Sequence, residues 1–394
     1  MEVRGRRDLM RFFEQLPDPR ASNLSHPLPS LMAIALLAVL STADDWVDVE
    51  AWARANQPWL ETFLDLPHGV PSHDTFGRVF AAMDPDRFEA CFRTWMAGMA
   101  IASGGKLVAI DGKTLRRSFQ AAAGRAAIHM VSAWVQENHA VLGQIQVGDK
   151  TNEITAIPKL LEVLDLDGAT VTIDAMGCQR DIAARIVGGG ADFILAVKEN
   201  QPKLYKDGKL LMDDAIAANW GDTGHSFYQE VEGDHGRVET RRCWATWEVQ
   251  WLRDASGWPG LTSLICIETL REVMGGATSR ERRYYISSHD PRQKTTDARF
   301  LLGAIRGHWA IENQLHWSLD VCFQEDQCRV RKDHGPQNLS RIRRLCLNLL
   351  RPAPAPGPRP DKKMSLKTKR FLCCCSRGYL IRVVSPLIHG VATA

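Results

Sequence analysis

The spacing of hydrophobic residues along the chain changes from helical to strand-like near residue 106. Before that point, apolar side chains recur at three- and four-residue intervals, as on the buried face of a helix. The most apolar run, residues 28–40, predicts a buried helix and is too short to span a membrane. We therefore expect residues 1–100 to form an all-helical N-terminal domain.

After residue 106 the pattern alternates between strands and helices. Short apolar runs predict five strands, at residues 107–111, 128–136, 140–147, 170–174 and 192–198. Helices are predicted at residues 153–164 and 180–187. Three consecutive strands followed by two strand–helix units are typical of an α/β domain.

The remainder of the chain departs from this alternation. Residues 200–295 predict a small β-rich insertion, because alternating runs follow a helix there. Residues 338–350 predict a closing helix that packs on the sheet and exposes a basic edge. That edge consists of Arg341, Arg343 and Arg344. A proline-rich linker then leads into a basic tail, residues 351–394, which we expect to be poorly ordered past Leu372.

Two aspartates follow apolar runs at the point where each predicted strand ends. Asp111 closes the first strand and Asp174 closes the fourth. Ligands of open α/β sheets bind at the carboxyl ends of strands. An uninterrupted helical pattern at residues 305–320 carries Glu312 on one side. If the two strands are parallel neighbours and this helix crosses the sheet, the three carboxylates form an all-oxygen site suited to Mg²⁺ or Mn²⁺.

Several motifs resemble bacterial insertion-sequence transposases of the ISAs1 family, within the DDE class. The matching segments are residues 109–114, 173–179, 197–201 and 307–317, with further matches at 16–20 and 71–76. The resemblance covers nearly the whole chain to about residue 350. It implies a ribonuclease H-like mixed sheet over residues 106–350, in which the first and fourth strands are adjacent. The helical domain before it would recognise transposon ends or serve as a scaffold that docks on the core.

The same resemblance implies a metal-dependent polynucleotidyl transferase. Asp111, Asp174 and Glu312 would be the catalytic acids and would hold two Mg²⁺ or Mn²⁺ ions. Hydrolysis would free a 3′-hydroxyl at the end of the element, and that hydroxyl would then attack target DNA. The implied partners are double-stranded DNA, as terminal inverted repeats and target, and a second copy of the chain on that DNA. The implied location is the bacterial cytoplasm, at the nucleoid.

Residues beside these motifs are candidates for contacts to DNA. They are Lys113, Lys198, Asn200, His308 and His316. Many relatives of the wider class have Tyr, Arg and Lys around the glutamate. This chain has Ile305, His308 and Leu319 at those positions. Trp309 and Trp317 recur at helical spacing, and we expect them to pack in the core rather than to stack on bases.

The composition is that of an ordinary globular protein. The chain has 394 residues, of which 45% are hydrophobic and 24% charged, and its formal net charge is +3. Residues 351–394 hold nine basic side chains against one acidic side chain, which suggests contact with a polyanion. The ten cysteines include no Cys-x-x-Cys pair, so we expect reduced thiols in a cytosolic protein rather than a disulfide or zinc framework.

Three alternatives remain open at this point. Glu325 and Asp326 compete with Glu312 as the third acid, and Glu312 is preferred because it lies in the middle of its helix. A zinc hydrolase could use Glu312 with His308 and His316, although that spacing leaves both strand-end aspartates unused. A DNA-binding protein that has lost catalysis is the third alternative.

Overall fold

The structure is a computed structural model that describes residues 13–20, 25–98, 106–119, 125–148, 152–234, 236–356 and 363–388. Within these residues, nine strands form one sheet. They are β1 (Leu107–Thr114), β2 (His129–Val135), β3 (Ala140–Gln146), β4 (Thr170–Ile173), β5 (Asp192–Val197), β6 (His225–Asp234), β7 (Arg237–Thr246), β8 (Ser263–Val273) and β9 (Thr278–Ser287). Their order across the sheet is β3-β2-β1-β4-β5-β9-β8-β7-β6.

Helices cover both faces of this sheet. In the described residues they are α1 (Leu28–Leu40), α2 (Trp46–Ala55), α3 (Gln57–Leu60), α4 (His73–Ala82), α5 (Pro85–Gly98), α6 (Glu153–Val163), α7 (Arg180–Gly188), α8 (Pro202–Ala217), α9 (Ala298–Ala310), α10 (Trp317–Phe323), α11 (Gly335–Leu350), α12 (Leu366–Cys375) and α13 (Arg377–Ile388). None of them is long and apolar enough to cross a membrane.

The five strands predicted after residue 106 are confirmed within one or two residues at most ends. β1 pairs antiparallel with β2 and parallel with β4, so the predicted adjacency of the first and fourth strands is confirmed. Ile110 lies opposite Ile173 in the parallel pair. The next residues in the chain are Asp111 and Asp174, so the two aspartates lie side by side. Asp174 follows the end of β4. The prediction that Asp111 ends its strand is wrong, because β1 continues to Thr114 and pairs Asp111 with Ser132 of β2.

The predicted β-rich insertion extends the same sheet. β9 pairs antiparallel with β5 through only four residues, Tyr284–Ser287, and β8, β7 and β6 follow outward. Because β9 runs against β5, its other residues project past the carboxyl end of β5 together with their partners. We call this projecting part of the sheet the β-arm; it comprises residues 229–234, 237–242, 268–273 and 278–283.

The N-terminal helices share one hydrophobic core with the C-terminal helices. This core combines residues of α1, α4 and α5 with residues of α11 and α13, and it reaches the sheet at Trp134 and Val141. Every residue of α11 is buried. The predicted basic edge is therefore wrong, because Arg341, Arg343 and Arg344 lie in the interior. A helix packed on all sides has no exposed face to carry an edge.

The basic tail folds over the part that the structure describes. Residues 366–388 form α12 and α13, so the expectation of poor order past Leu372 is wrong through residue 388. Tyr379, Val383 and Leu387 recur at helical spacing and are buried in the shared core. Lys369 is also buried, and its Nζ donates to the carbonyl oxygens of Leu350 and Arg351 at 2.8 Å. Some of the tail's positive charge therefore serves packing.

The cysteines other than Cys91 are free thiols in the described part of the chain, as predicted for them.

Candidate active site

A cavity of about 810 Å³ opens at the carboxyl ends of β4 and β5, at the base of the β-arm. Asp111, Asp174 and Glu312 all line it. These acids come from a strand, from the turn after a second strand, and from a helical segment more than a hundred residues further along the chain. The structure therefore brings the three predicted acids to one cavity.

The turn after β4 holds Asp174 in place. Its carboxylate accepts hydrogen bonds from the backbone N–H groups of Met176, at 3.0 Å, and Gly177, at 3.4 Å. These bonds cap the short 3₁₀ turn Ala175–Gly177. A Cβ at Gly177 would overlap the side chain of Ile173, so the turn requires glycine at this position. The Asp-Ala-Met-Gly sequence thus encodes an oriented carboxylate.

Glu312 lies on a π-helical turn rather than in a regular helix. The predicted continuous helix is wrong here, because Ile311–His316 forms a π-helix between α9 and α10. The wider turn keeps Ile311 and Leu315 fully buried while Glu312 is exposed toward the cavity. Such turns occur often at functional sites. Glu312 and His316 therefore do not share the face that four-residue spacing predicts.

Burial and negative charge together raise the pKa of Asp111 to about 7. Burial is the largest cause, and the carboxylates of Glu153, Asp174 and Glu312 add repulsion. Neighbouring carboxylates thus oppose the ionisation of Asp111. An added cation would stabilise the ionised form of Asp111.

Glu153 is an acid of this site that the sequence pattern did not single out. It stands at the start of α6, and its Oε1 lies 2.5 Å from Nε2 of His129. A Cβ at Gly112 would overlap both side chains, which explains why glycine follows Asp111 in β1. Gly112, the small residue after Asp111, was the signal available in the sequence that another side chain packs closely there. It does not indicate that this side chain is Glu153.

The donor set fits a hard divalent cation. Carboxylate oxygens are the ligands that Mg²⁺ and Mn²⁺ prefer, and the raised pKa of Asp111 is the response expected of acids gathered without a counterion. Within the described residues, no three Asp, Glu, His or Cys side chains lie close enough together to make a preformed metal cluster. The three acids therefore line the same cavity, but their carboxylates are not close enough together to surround a single metal ion.

Three of the five predicted DNA contacts line the cavity: Lys198, Asn200 and His308. Lys198 is exposed at the end of β5. Asn200 donates to the Ala175 carbonyl at 2.5 Å and ties the loop to the Asp174 turn. His308 Nδ1 lies 3.1 Å from the hydroxyl of Thr172, and burial lowers the pKa of this histidine.

The other two predicted DNA contacts, Lys113 and His316, are not among the residues that line the cavity. Lys113 is buried, and its Nζ donates to Asp320 at 2.6 Å and Asp326 at 3.1 Å. His316 lies against Asp111, and burial is the main reason that its pKa falls to about 3.

The competing third acids are engaged elsewhere. Glu325 is buried, where it accepts hydrogen bonds from Ser340 at 2.9 Å and Arg344 at 3.1 Å. Asp326 pairs with Lys113 and with Arg116, each at 3.1 Å. Neither acid lines the cavity, so the structure favours Glu312 over both as the partner of the two aspartates.

Trp309 and Trp317 are exposed to 44% and 57%, so the expectation that they pack in the core is wrong. The π-helical turn lies between them, and the buried positions around it are taken by Ile311 and Leu315. Trp309 lines the cavity, and the Arg283 guanidinium lies 5.4 Å from its ring centre. Sequence reasoning missed Arg283, because β9 reaches the site only through the topology of the sheet.

Comparison with known proteins identifies the class. Residues 102–349 match the family described as "Transposase DDE domain", and residues 10–96 match the family described as "DDE_Tnp_1-associated". The chain belongs to the transposase DDE domain family.

Its relatives include a protein from Escherichia coli O157:H7 named "Putative transposase YncI", which is 37% identical over 381 residues, covering 96% of this chain and 94% of the relative. A Xanthobacter autotrophicus protein named "Uncharacterized protein in dhlA 3'region" is 46% identical over 283 residues, covering 71% of this chain and 93% of the relative. Among solved structures, a piggyBac transposase synaptic complex with hairpin DNA matches 98% of this chain and 80% of its own with a TM-score of 0.40 and 10% identity, which is too distant to establish a shared fold.

Proposed function

We propose that this protein is an ISAs1-type insertion-sequence transposase that cuts DNA at the ends of its element and joins them to target DNA. Residues 106–350 form its ribonuclease H-like catalytic domain. Residues 1–100 form the helical domain that accompanies it, and residues 351–394 form the linker and tail. The strand order β3-β2-β1-β4-β5, with β1 and β4 parallel, supports the assignment of the catalytic domain.

One observation carries the proposal. Asp111, Asp174 and Glu312 are far apart in the chain, and all three line one cavity at the carboxyl ends of β4 and β5. The raised pKa of Asp111 indicates a site that gains stability when a cation binds. This is the electrostatic requirement of metal-assisted phosphodiester chemistry.

Bound Mg²⁺ or Mn²⁺, as two ions, supplies positive charge to the attacking and leaving oxygens at the scissile phosphate. Asp111, Asp174 and Glu312 would hold the ions, since all three line the cavity. Asp174 is oriented by two backbone N–H groups, whereas Glu312 is exposed and free to approach the DNA. Lys198 lies at the rim of the cavity, where its positive charge attracts the DNA backbone.

The reaction has two steps at the same acids. Water first attacks the phosphorus at the element end, and the bond to the 3′ oxygen breaks to leave a 3′-hydroxyl. That hydroxyl then attacks a phosphorus in target DNA, and the target's own 3′ oxygen leaves. No covalent bond to the protein forms in either step. Since two element ends must be joined to one target, we propose that a homodimer acts on the DNA, at the nucleoid in the cytoplasm.

An in vitro cleavage assay on duplexes that carry the flanking inverted repeats tests this function. Asp111→Asn, Asp174→Asn and Glu312→Gln are each expected to abolish cleavage in Mg²⁺ or Mn²⁺. Glu199→Gln removes an acid that lines the same cavity but holds no ion in the proposal, so it is the matched control and should keep activity.

Other outcomes separate the alternatives. Specific binding without cleavage by the wild-type protein would favour a catalytically inactive DNA-binding protein. Hydrolysis of peptides or esters that depends on Zn²⁺ would favour the hydrolase.

A further inference from the structure

A group of basic side chains lies beyond the carboxyl end of β1. We call it the basic surface. It consists of Arg116, Arg117 and Arg125, between β1 and β2, and Arg329, Arg331 and Lys332, between α10 and α11. Arg116 and Arg125 are exposed to 80% and 54%. The two segments are separated by about two hundred residues in the chain and meet only in the folded protein.

Alternation along the extended segment before α11 directs Arg329 to the solvent. Cys328 and Val330 pack against the hydrophobic core, whereas Arg329 between them is exposed. Arg331 joins the two segments. Its Nε donates to the Arg117 carbonyl at 2.9 Å, and its guanidinium lies 4.8 Å from the ring centre of Phe119.

The basic surface carries more positive charge than the described residues around it neutralise. Its two acids are both engaged: Asp326 pairs with Lys113 and Arg116, and Asp333 pairs with Arg125. Arg117, Arg329 and Lys332 are exposed, and no ion pair joins them to an acid among the described residues. With six basic and two acidic side chains, the basic surface has a formal charge of +4. The whole chain has a formal net charge of only +3.

The position of the basic surface relates it to the cavity. β1 continues past the last residue that pairs with β4, through Lys113 and Thr114, and the basic surface begins two residues later. At roughly 3.3 Å per residue, Thr114 lies about 10 Å from Asp111, and Arg116 follows in the turn after the strand. The β-arm stands on the other side of the cavity, since Arg282 and Arg283 line it. A duplex whose phosphate enters the cavity would therefore lie with a neighbouring stretch of backbone over the basic surface.

We propose that the basic surface binds the phosphates of duplex DNA on one side of the scissile bond. The inference rests on the proposed function, because it takes the cavity as the place of cleavage. A duplex presents a phosphate roughly every 3.4 Å along each strand, so several basic side chains at one place can be occupied together. A protein partner is disfavoured, because its interface needs an apolar centre and Phe119, exposed to 41%, is the large exposed apolar side chain within the surface.

Arg125, Arg331 and His334 also line a second cavity of about 520 Å³ within this surface. Asp333 also lines this recess and pairs with Arg125, so Arg331 is the arginine available there to a phosphate group. The contacts expected here are to the DNA backbone, so they should not depend on base sequence.

Fluorescence anisotropy of the full-length protein tests the inference. Two labelled duplexes of equal length are used, one with the inverted repeat and one with an unrelated sequence, and each is titrated at several salt concentrations. The variants are Arg117→Ala, Arg329→Ala and Lys332→Ala, singly and combined. The combined variant is expected to bind both duplexes roughly tenfold or more weakly, and each substitution should reduce the slope of log K against log salt by about 0.9.

Arg253→Ala and Arg292→Ala are the matched controls. Both arginines are exposed, to 78% and 61%, and they lie in loops at the opposite end of the sheet. Each control removes one positive charge and should leave the salt slope unchanged. Equal loss of affinity in the controls and the test variants would overturn the inference, because net charge alone would then explain it.

The remaining outcomes separate this inference from the proposed function. An unchanged salt slope in the combined variant, with normal wild-type binding, would overturn the basic surface alone. Weaker binding to the inverted repeat only would also overturn it, because base contacts would then be at work. If the wild-type protein binds neither duplex, the proposed function itself fails.

Discussion

His316 Nδ1 lies 3.7 Å from Asp111 Oδ2, yet burial shifts the pKa of each group toward its neutral form. An exposed pair at this distance would show the opposite shifts, with the acid lowered and the base raised. Here desolvation outweighs attraction on both sides. His316 therefore does not act as a charged counterion of Asp111.

The raised pKa of Asp111 predicts how stability depends on pH. Between about pH 4 and pH 7 the folded protein keeps a proton on Asp111 that the unfolded chain has released, so this group makes stability fall as pH rises through that window. Asp111→Asn removes the effect. Without divalent ions, the free energy of unfolding of the variant minus that of the wild type should grow between pH 5 and pH 8 by up to about 3 kcal/mol. Urea unfolding at the two pH values measures this difference.

Added Mg²⁺ provides the control for this prediction. It should raise the midpoint of thermal unfolding of the wild type at pH 8 and have a smaller effect on Asp111→Asn. A difference that does not grow between pH 5 and pH 8 would contradict the assigned pKa shift.

The π-helical turn predicts an unusual deletion phenotype. Removing Asn313, an exposed residue of the turn, should convert Ile311–His316 to regular α-helix without moving α9 or α10. Glu312 would then rotate away from the cavity. We expect DNA cleavage to be lost while the midpoint of thermal unfolding is unchanged or higher. Asn313→Ala retains the turn and should keep activity, and a deletion variant that still cleaves DNA would refute the role of the turn.

The buried pair of Glu325 and Arg344 predicts a large loss of stability from a small substitution. Glu325→Gln keeps the shape but removes the charge opposite a fully buried guanidinium. Breaking such a pair from one side costs about 3–5 kcal/mol. Chemical unfolding should report that loss. The double substitution Glu325→Leu with Arg344→Met should recover only part of it, because the buried Arg343 also pairs with Glu325 at 3.9 Å. A loss below about 1 kcal/mol for Glu325→Gln would show that the Arg344 guanidinium finds another partner.

Gly112 predicts a steric effect beside the acids. Gly112→Ala places a Cβ against the side chains of Glu153 and His129 and should cost about 1–3 kcal/mol of unfolding free energy, because both must move. It should also reduce cleavage by displacing Asp111. Gly303→Ala, in α9, is the control, since nothing lies within 4 Å of its added Cβ. Equal effects of the two substitutions would mean that the contacts at Gly112 are unimportant.

Parts of the fold could be predicted from the sequence because short stretches of residues determine them. The runs that end at Asp111 and Asp174 are visible as strands, since side chains of a buried strand are chosen by their immediate neighbours along the sheet. The order of elements then made β1 and β4 adjacent. The motif around Glu312 marked a third acid. For Asp111 and Asp174, the sequence by itself determined the strands that lead to them and the adjacency of those strands.

Other features were decided only by tertiary structure. Local periodicity reports which side of an element is apolar, but it cannot report which distant element covers the remaining sides. Arg341 and Arg344 look like an exposed edge until Glu89 and Glu325 meet them in the interior. Glu153 becomes a neighbour of Asp111 only when α6 packs beside β1. The regular helix expected around Glu312 contains a π-helical turn. The packing of the helices before and after this turn determines it, and the spacing of residues within the segment does not encode that packing.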